Sequence, residues 1–183
     1  GDTYALYNVQ AQLQSFVGMA RRCRDKQTIG ELVKILSPSF NSIKPLPGVR
    51  GAMGWICTGG EKCSHSNGLL GNEVQLNSAQ FLGLLGEVSD AILNVVPPKL
   101  RTAEEKLFLR NTADTIATQL DRWFSPAYGA WVIKRSNLTP SNATNSDSQK
   151  YFQDRDLWFI TGLSYLAELH ESGVALGPRG ASA

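Results

Sequence analysis

The sequence predicts an all-α fold of antiparallel helical hairpins, with an α/α barrel-like array as the largest form that such packing could take. Apolar residues recur at three- and four-residue intervals in four long segments and one short one. Capping residues and prolines mark the ends of these segments, and alternation of apolar and polar residues is rare. Helices that follow one another through short connections pack as antiparallel pairs.

The first two helices are predicted before residue 40. An amphipathic helix from Tyr4 to about Arg24 is indicated by one apolar stripe, which comprises Leu6, Val9, Leu13, Phe16, Val17, Ala20 and Cys23. Thr28 to Glu31 has the form of a capping box, and it predicts a short second helix that stops at Ser37-Pro38. Further prolines disfavour regular helix between about Ser37 and Asn72, so a long loop separates the second and third helices.

The third and fourth helices have clear boundaries. Asn77 to Gln80 offers an N-terminal cap, and the helix that follows is ended by Pro97-Pro98. Its predicted apolar stripe comprises Phe81, Leu84, Leu85, Val88, Ile92 and Val95. Thr102 to Glu105 is a second capping box, for a helix that breaks at Ser125-Pro126.

The last helix is predicted from about Gln149 to Glu171, with Gly173 as its stop. Before it, Trp131 to Ile133 is compatible with a short extended piece. The 183 residues fit one helical domain, residues 1–183, which is either a whole protein or a fragment of a larger helical-hairpin protein.

Composition excludes several function classes. Apolar runs are too short to cross a bilayer, so no membrane span is expected. The net charge is only +2, and the arginines near residue 22 are explained by a helix C-terminus more simply than by a polyanion, so nucleic-acid binding is not expected. The glycine-rich phosphate-binding patterns of nucleotide sites are absent from the sequence, and no cofactor is predicted.

The three cysteines give information about the cellular location of the protein. Cys57 and Cys63 flank a flexible spacer that would let their sulfurs meet, so we predict a disulfide between them. Cys23 lies in the apolar stripe of the first helix, and we predict a buried free thiol there. A zinc site at the pair is disfavoured because the spacing is unusual and only His65 lies nearby. The disulfide predicts a secreted or periplasmic protein.

The predicted loop from Trp55 to Glu73 carries the densest group of functional side chains in the chain. Glu73 stands just before a helix and is the candidate general acid. A glycosidase needs a second carboxylate, for which Asp156 is the candidate and Asp154 the neighbouring alternative. The competing interpretation is that Glu73 favours a helix N-terminus and that Asp154 pairs with a basic residue on the surface.

Aromatic and polar residues near these carboxylates are the predicted substrate contacts. Flat rings with polar edges stack on sugar faces, and the rings considered are Trp55, Trp131, Trp158 and Tyr128. The predicted contacts are Trp55, His65, Asn72, Arg155 and Trp158. Core packing competes with sugar binding for Trp158, and packing on the disulfide competes with it for Trp55.

Two functions are predicted from these sequence features. The first is an extracytoplasmic protein that binds or cleaves a glycan or polysaccharide, as a glycoside hydrolase or polysaccharide lyase would, and it depends on analogy with helical-hairpin barrels. The second is a non-catalytic helical module that binds a protein partner. A concave site that joins Glu73, a second carboxylate and Trp55 would favour the first, and an exposed apolar patch would favour the second.

Overall fold

The computed structural model describes residues 3–45, 53–55, 75–125, 130–131 and 153–175. These residues form a mostly helical structure whose helices pack against each other, as the sequence predicts, and a closed barrel is not seen among them. The helices are α1 (Thr3–Cys23), α2 (Lys26–Leu36), α3 (Pro38–Asn41), α4 (Gln75–Val95), α5 (Ala103–Trp123) and α6 (Gln153–Glu171), with a 3-10 turn at Pro98–Leu100.

Strand in the described ranges is confined to two short antiparallel pairs. β1 (Lys44–Pro45) pairs with β2 (Met53–Gly54), and β3 (Phe124–Ser125) pairs with β4 (Ala130–Trp131). β4 confirms the extended conformation predicted at Trp131.

The start of α2 differs from the prediction. Asp25 is the N-cap, and its carboxylate accepts hydrogen bonds from the main-chain N–H groups of Gln27 and Thr28 at 3.0 and 3.1 Å. Thr28, the predicted cap, donates its hydroxyl proton to Asp25 instead. Arg24, with φ of 52°, turns the chain sharply after α1. This turn places Asp25, and not Thr28, at the N-terminal end of α2.

The capping box at the start of α5 is confirmed. The main-chain N–H of Thr102 donates to Glu105 at 2.7 Å, and the N–H of Glu105 donates to the Thr102 hydroxyl at 3.1 Å. Gly173, with φ of +76°, follows the end of α6, as predicted.

Two other boundaries correct the prediction. The short helix α3 lies in the segment for which no helix was expected, because Pro38 occupies its first turn, where the missing N–H costs nothing. The α4 helix already includes Gln75, and Asn77 is buried inside it rather than capping it.

The long helices alternate in direction. Gln14 meets Glu87 and Arg24 meets Asn94, so α1 runs parallel to α4. Asn94 also meets Glu168, and the C-terminal ends of α1, α4 and α6 therefore lie at one end of the molecule.

The helices α2 and α5 begin at that end and run the other way. Arg101, just before α5, donates to the carbonyls of Leu93 and Val96, and Gln119 near the end of α5 donates to Met53. The α2 helix starts beside the end of α1, where Asp25 N–H bonds to the Ala20 carbonyl.

The core lies around α4, which contacts α1, α2, α5 and α6. The predicted stripe of α4 is buried, and so are residues outside it, among them Leu82 and Ala91. A helix that is apolar on nearly all sides is typical of a central position. At its N-terminal half, Phe81 packs edge-to-face against Trp55 with ring centroids 5.2 Å apart.

Candidate functional site

The predicted sugar site falls largely outside the described residues. Glu73, Asn72 and His65 lie there, as do both cysteines of the predicted disulfide, Cys57 and Cys63. Arg155 and Asp156 lie in the first turn of α6, but their side chains are outside the described part. The catalytic pair therefore remains a prediction.

Trp55 lies in the core. Its side chain is fully buried, and its indole N–H donates to the main-chain oxygen of Ser39 at 2.9 Å. Stacking on a sugar requires an exposed ring face, so this placement favours packing over the predicted role as a ligand platform.

Trp158 is half-buried on α6. A β-carbon added at Gly83 would lie 2.7 Å from Cζ3 of Trp158, so the ring lies directly over the backbone of α4. This position favours core packing over sugar binding as the role of Trp158.

Cys23 corrects the prediction of a buried thiol, because it is free and exposed. Sequence periodicity placed it in the apolar stripe of α1, but the structure divides that stripe in two. Val17 and Ala20 are buried, whereas Val9, Phe16 and Cys23 are exposed.

The exposed half of the stripe forms a surface that we name the α1 edge. Its members are spaced alternately by three and four residues, and they are Val9, Gln12, Phe16, Met19 and Cys23. Gln12 is polar, and the large apolar side chains Val9, Phe16 and Met19 are 36–51% exposed. Phe16 lies about 160° around the helix from Gln14, which faces α4, so the edge is on the far side of α1.

A similar surface, the α6 edge, lies on the last helix. Its members are Leu157, Ile160, Leu163 and Ala167. The three larger side chains are 47–64% exposed. Leu163 lies about 160° around α6 from Tyr165, which packs against Gly86 of α4, so this edge also points away from α4.

Polar side chains join α1 to α4 between these edges. Gln14 donates to Glu87 at 3.1 Å, and Arg21 forms an ion pair with Asp90 at 2.6 Å. Burial raises the pKa of Glu87, with a further contribution from the charge of Asp90 and opposition from the Gln14 hydrogen bond and Arg21.

The same row joins α4 to α6. Asn94 donates to Asp90 and, at 3.4 Å, to Glu168. Burial raises the pKa of Glu168, and its hydrogen bond with Asp90 and the charge of Asp90 raise it further. Burial also raises the pKa of Tyr165 to about 12, with the nearby carboxylates adding to the effect. Because these groups bond to one another, the row fixes the register of three parallel helices.

Arginines surround a pocket at the end of this row. The pocket has a volume of about 410 Å³ and is lined by Gly18, Arg21, Arg22, Arg24, Asn94 and Val95. Arg21 is held by Asp90, and Arg24 donates to the Asn94 carbonyl at 3.4 Å. The exposed Arg22 is the guanidinium most available to an anionic group.

Sequence reasoning missed both the edges and the polar row. Periodicity identifies the apolar residues of a helix, but it does not show which of them a neighbouring helix covers. The signal for the row was present, because Glu87, Asp90 and Asn94 share one side of an otherwise apolar helix.

No helix among the described residues combines the length and apolar character needed to cross a membrane. Comparison of the chain with protein-family models, curated proteins and solved structures finds no match.

Proposed function

We propose that the chain is a helical protein-interaction module whose α1 edge binds an α-helix. The observation that carries this proposal is the exposure of large apolar side chains on a line with alternating three- and four-residue spacing. The surface that matches such a line is a second helix with the same repeat, and a single polar residue such as Gln12 within it helps to select the register of the pair. Exposed apolar patches mark interaction sites.

The charges of α1 indicate the chemistry of its partner. The helix contains no aspartate or glutamate, and Arg22 in its last turn is exposed, whereas Asp90 already pairs with Arg21. A partner helix with acidic residues at the corresponding end would complement this charge, which raises the association rate and selects one orientation.

Two synthetic amphipathic helical peptides test the proposal. Both carry the same leucine seam, but one is flanked by glutamates and the other by lysines. We expect the glutamate peptide to bind more tightly in fluorescence anisotropy, and Phe16→Asp to abolish that binding. Ile35→Asp is the matched control, because Ile35 is a 57% exposed apolar residue on a different helix, α2. Equal binding by the Phe16→Asp and unchanged chains would disprove the proposal.

We further propose that the helices belong to the predicted array of antiparallel hairpins. The alternating helix directions fit the predicted array of antiparallel hairpins, and α1 and α6 present the sides of that array that point away from α4. Further helices added at either edge would extend the array towards the barrel-like form.

A second candidate function is the binding of an anionic glycan, and the arginine pocket is the observation that favours it. Guanidinium groups pair well with carboxylates and sulfates, which acidic polysaccharides carry. A glycan array should then show binding to uronate-containing or sulfated chains and not to neutral ones, with loss in Arg22→Ala. Under this candidate Glu73 keeps its predicted role as the acid, and Glu73→Gln should abolish turnover while binding remains. Binding to neutral glycans alone would remove the pocket from this function.

A further inference from the structure

We infer that the helix which occupies the α1 edge is α6 of a second copy of this chain, so that copies associate head to tail. The inference rests on the proposed function, since it names the partner for the same surface.

The two edges are alike in character, although the α6 edge is shorter. It runs from Leu157 to Ala167, about 15 Å of helix, and the α1 edge runs from Val9 to Cys23, about 21 Å. Each edge exposes large apolar side chains to a similar degree, and both lie on the far side of their helix from α4.

Charge selects α6 over a second copy of α1 as the occupant. An α1–α1 pair would bring together two helices without a carboxylate between them. The α6 helix ends at the exposed Glu171, which lies about 20° around the helix from Ile160 of the α6 edge. If α6 lies parallel to α1, this carboxylate comes near the exposed Arg22 of the other copy.

The chain already contains the same arrangement internally. The α1 helix packs parallel to α4, and at their C-terminal ends Arg21 of α1 pairs with Asp90 of α4 at 2.6 Å. An α6 helix on the opposite side of α1 would repeat this parallel packing, with Arg22 in place of Arg21 and Glu171 in place of Asp90.

A head-to-tail contact uses two different surfaces, so each copy keeps one open edge after pairing. Association therefore continues beyond the dimer, into a ring or a filament. One helix pair of this length buries less than a standard interface, so we expect weak association that depends on protein concentration.

Sedimentation velocity on the full chain and two edge variants tests the inference. Phe16→Asp disables the α1 edge, and Leu163→Asp disables the α6 edge. Both side chains are about half exposed, so circular dichroism should show unchanged helicity, and Met19→Asp is a second variant of the first edge. We expect concentration-dependent association of the unchanged chain and of the Ile35→Asp control, and monomers for each edge variant alone.

The mixture of the two edge variants is decisive. Phe16→Asp retains a working α6 edge and Leu163→Asp retains a working α1 edge, so the mixture should form a one-to-one dimer and nothing larger. If Leu163→Asp still self-associates while Phe16→Asp does not, the partner is α1 of the second copy and the inference is wrong. A monomer at all concentrations also overturns it, whereas the proposed function is then decided separately by the peptide assay.

Discussion

Asp90 of α4 and Glu168 of α6 accept hydrogen bonds from the same side-chain amide, that of Asn94, beside the ion pair of Asp90 with Arg21. Two carboxyl groups held this close disfavour the state in which both are charged. Burial, the hydrogen bond with Asp90 and the charge of Asp90 all raise the pKa of Glu168, so the folded chain holds its proton at pH values where the unfolded chain has released it.

The stability that Glu168 contributes should therefore fall as the pH rises. It is fully present below the pKa of the unfolded chain and is lost as the pH passes through the raised pKa of the folded chain. Glu168→Gln supplies a permanent donor to Asp90. We expect its free energy of unfolding in urea to exceed that of the unchanged chain at about pH 7 and to match it at about pH 4. Glu171→Gln controls for net charge, and an equal difference at both pH values would contradict the assignment.

Gly86→Ala should destabilise the chain by about 1–3 kcal/mol, because helix contact leaves no room for a side chain there. A β-carbon at this position would lie 2.5 Å from Cγ of Tyr165, and this atom, which joins the ring to Cβ, cannot move away without shifting α6. Gly30→Ala is the control, since nothing lies within 4 Å of its β-carbon and it occupies the middle of α2. We expect a gain of about 0.5–1 kcal/mol at Gly30, from helix propensity alone. Urea unfolding measures both, and equal effects at the two sites would show that α4 and α6 are not in close contact.

Trp55→Phe should cost about 1–3 kcal/mol, because the smaller ring leaves a cavity in the core and loses the indole hydrogen bond to Ser39. The Ser39 carbonyl keeps the hydroxyl and main-chain N–H of Ser42 as donors. Ser39→Ala is the matched control. It keeps the main-chain acceptor and removes a buried hydroxyl that has no hydrogen-bond partner, so stability should be unchanged or higher. If Trp55→Phe left the unfolding free energy unaltered but weakened glycan binding, the sugar-platform interpretation would replace the core one.

The predicted helix boundaries are most accurate where local hydrogen bonds set the end of the helix. The α5 helix begins at Thr102 because that residue and Glu105 satisfy each other's main-chain N–H groups, an interaction contained within four residues. The α2 helix has a similar pattern at Thr28, but the turn at Arg24 places Asp25 ahead of it. That turn depends on where α1 ends, which the capping pattern does not encode.

The candidate surfaces required tertiary information. Phe16 and Val17 are adjacent apolar residues of the same predicted stripe, yet one is 51% exposed and the other is buried, because α4 and α2 cover only one side of α1. Similarly, the sequence alone predicts that Asp90 lies on the solvent-exposed side of an amphipathic helix. The contacts that α4 makes with both α1 and α6 are what bury it beside Arg21.

Alkylation of the three cysteines tests the predicted bridge together with the exposed position of Cys23. Cys23 should react in the folded chain, because its thiol faces solvent, and intact mass should show one label. If Cys57 and Cys63 are joined, denaturation without reductant should still give one label, and added reductant should give three. Cys23→Ser is the control and should give no label until reductant is added. Three labels without reductant would disprove the disulfide and remove the main argument for a secreted or periplasmic protein.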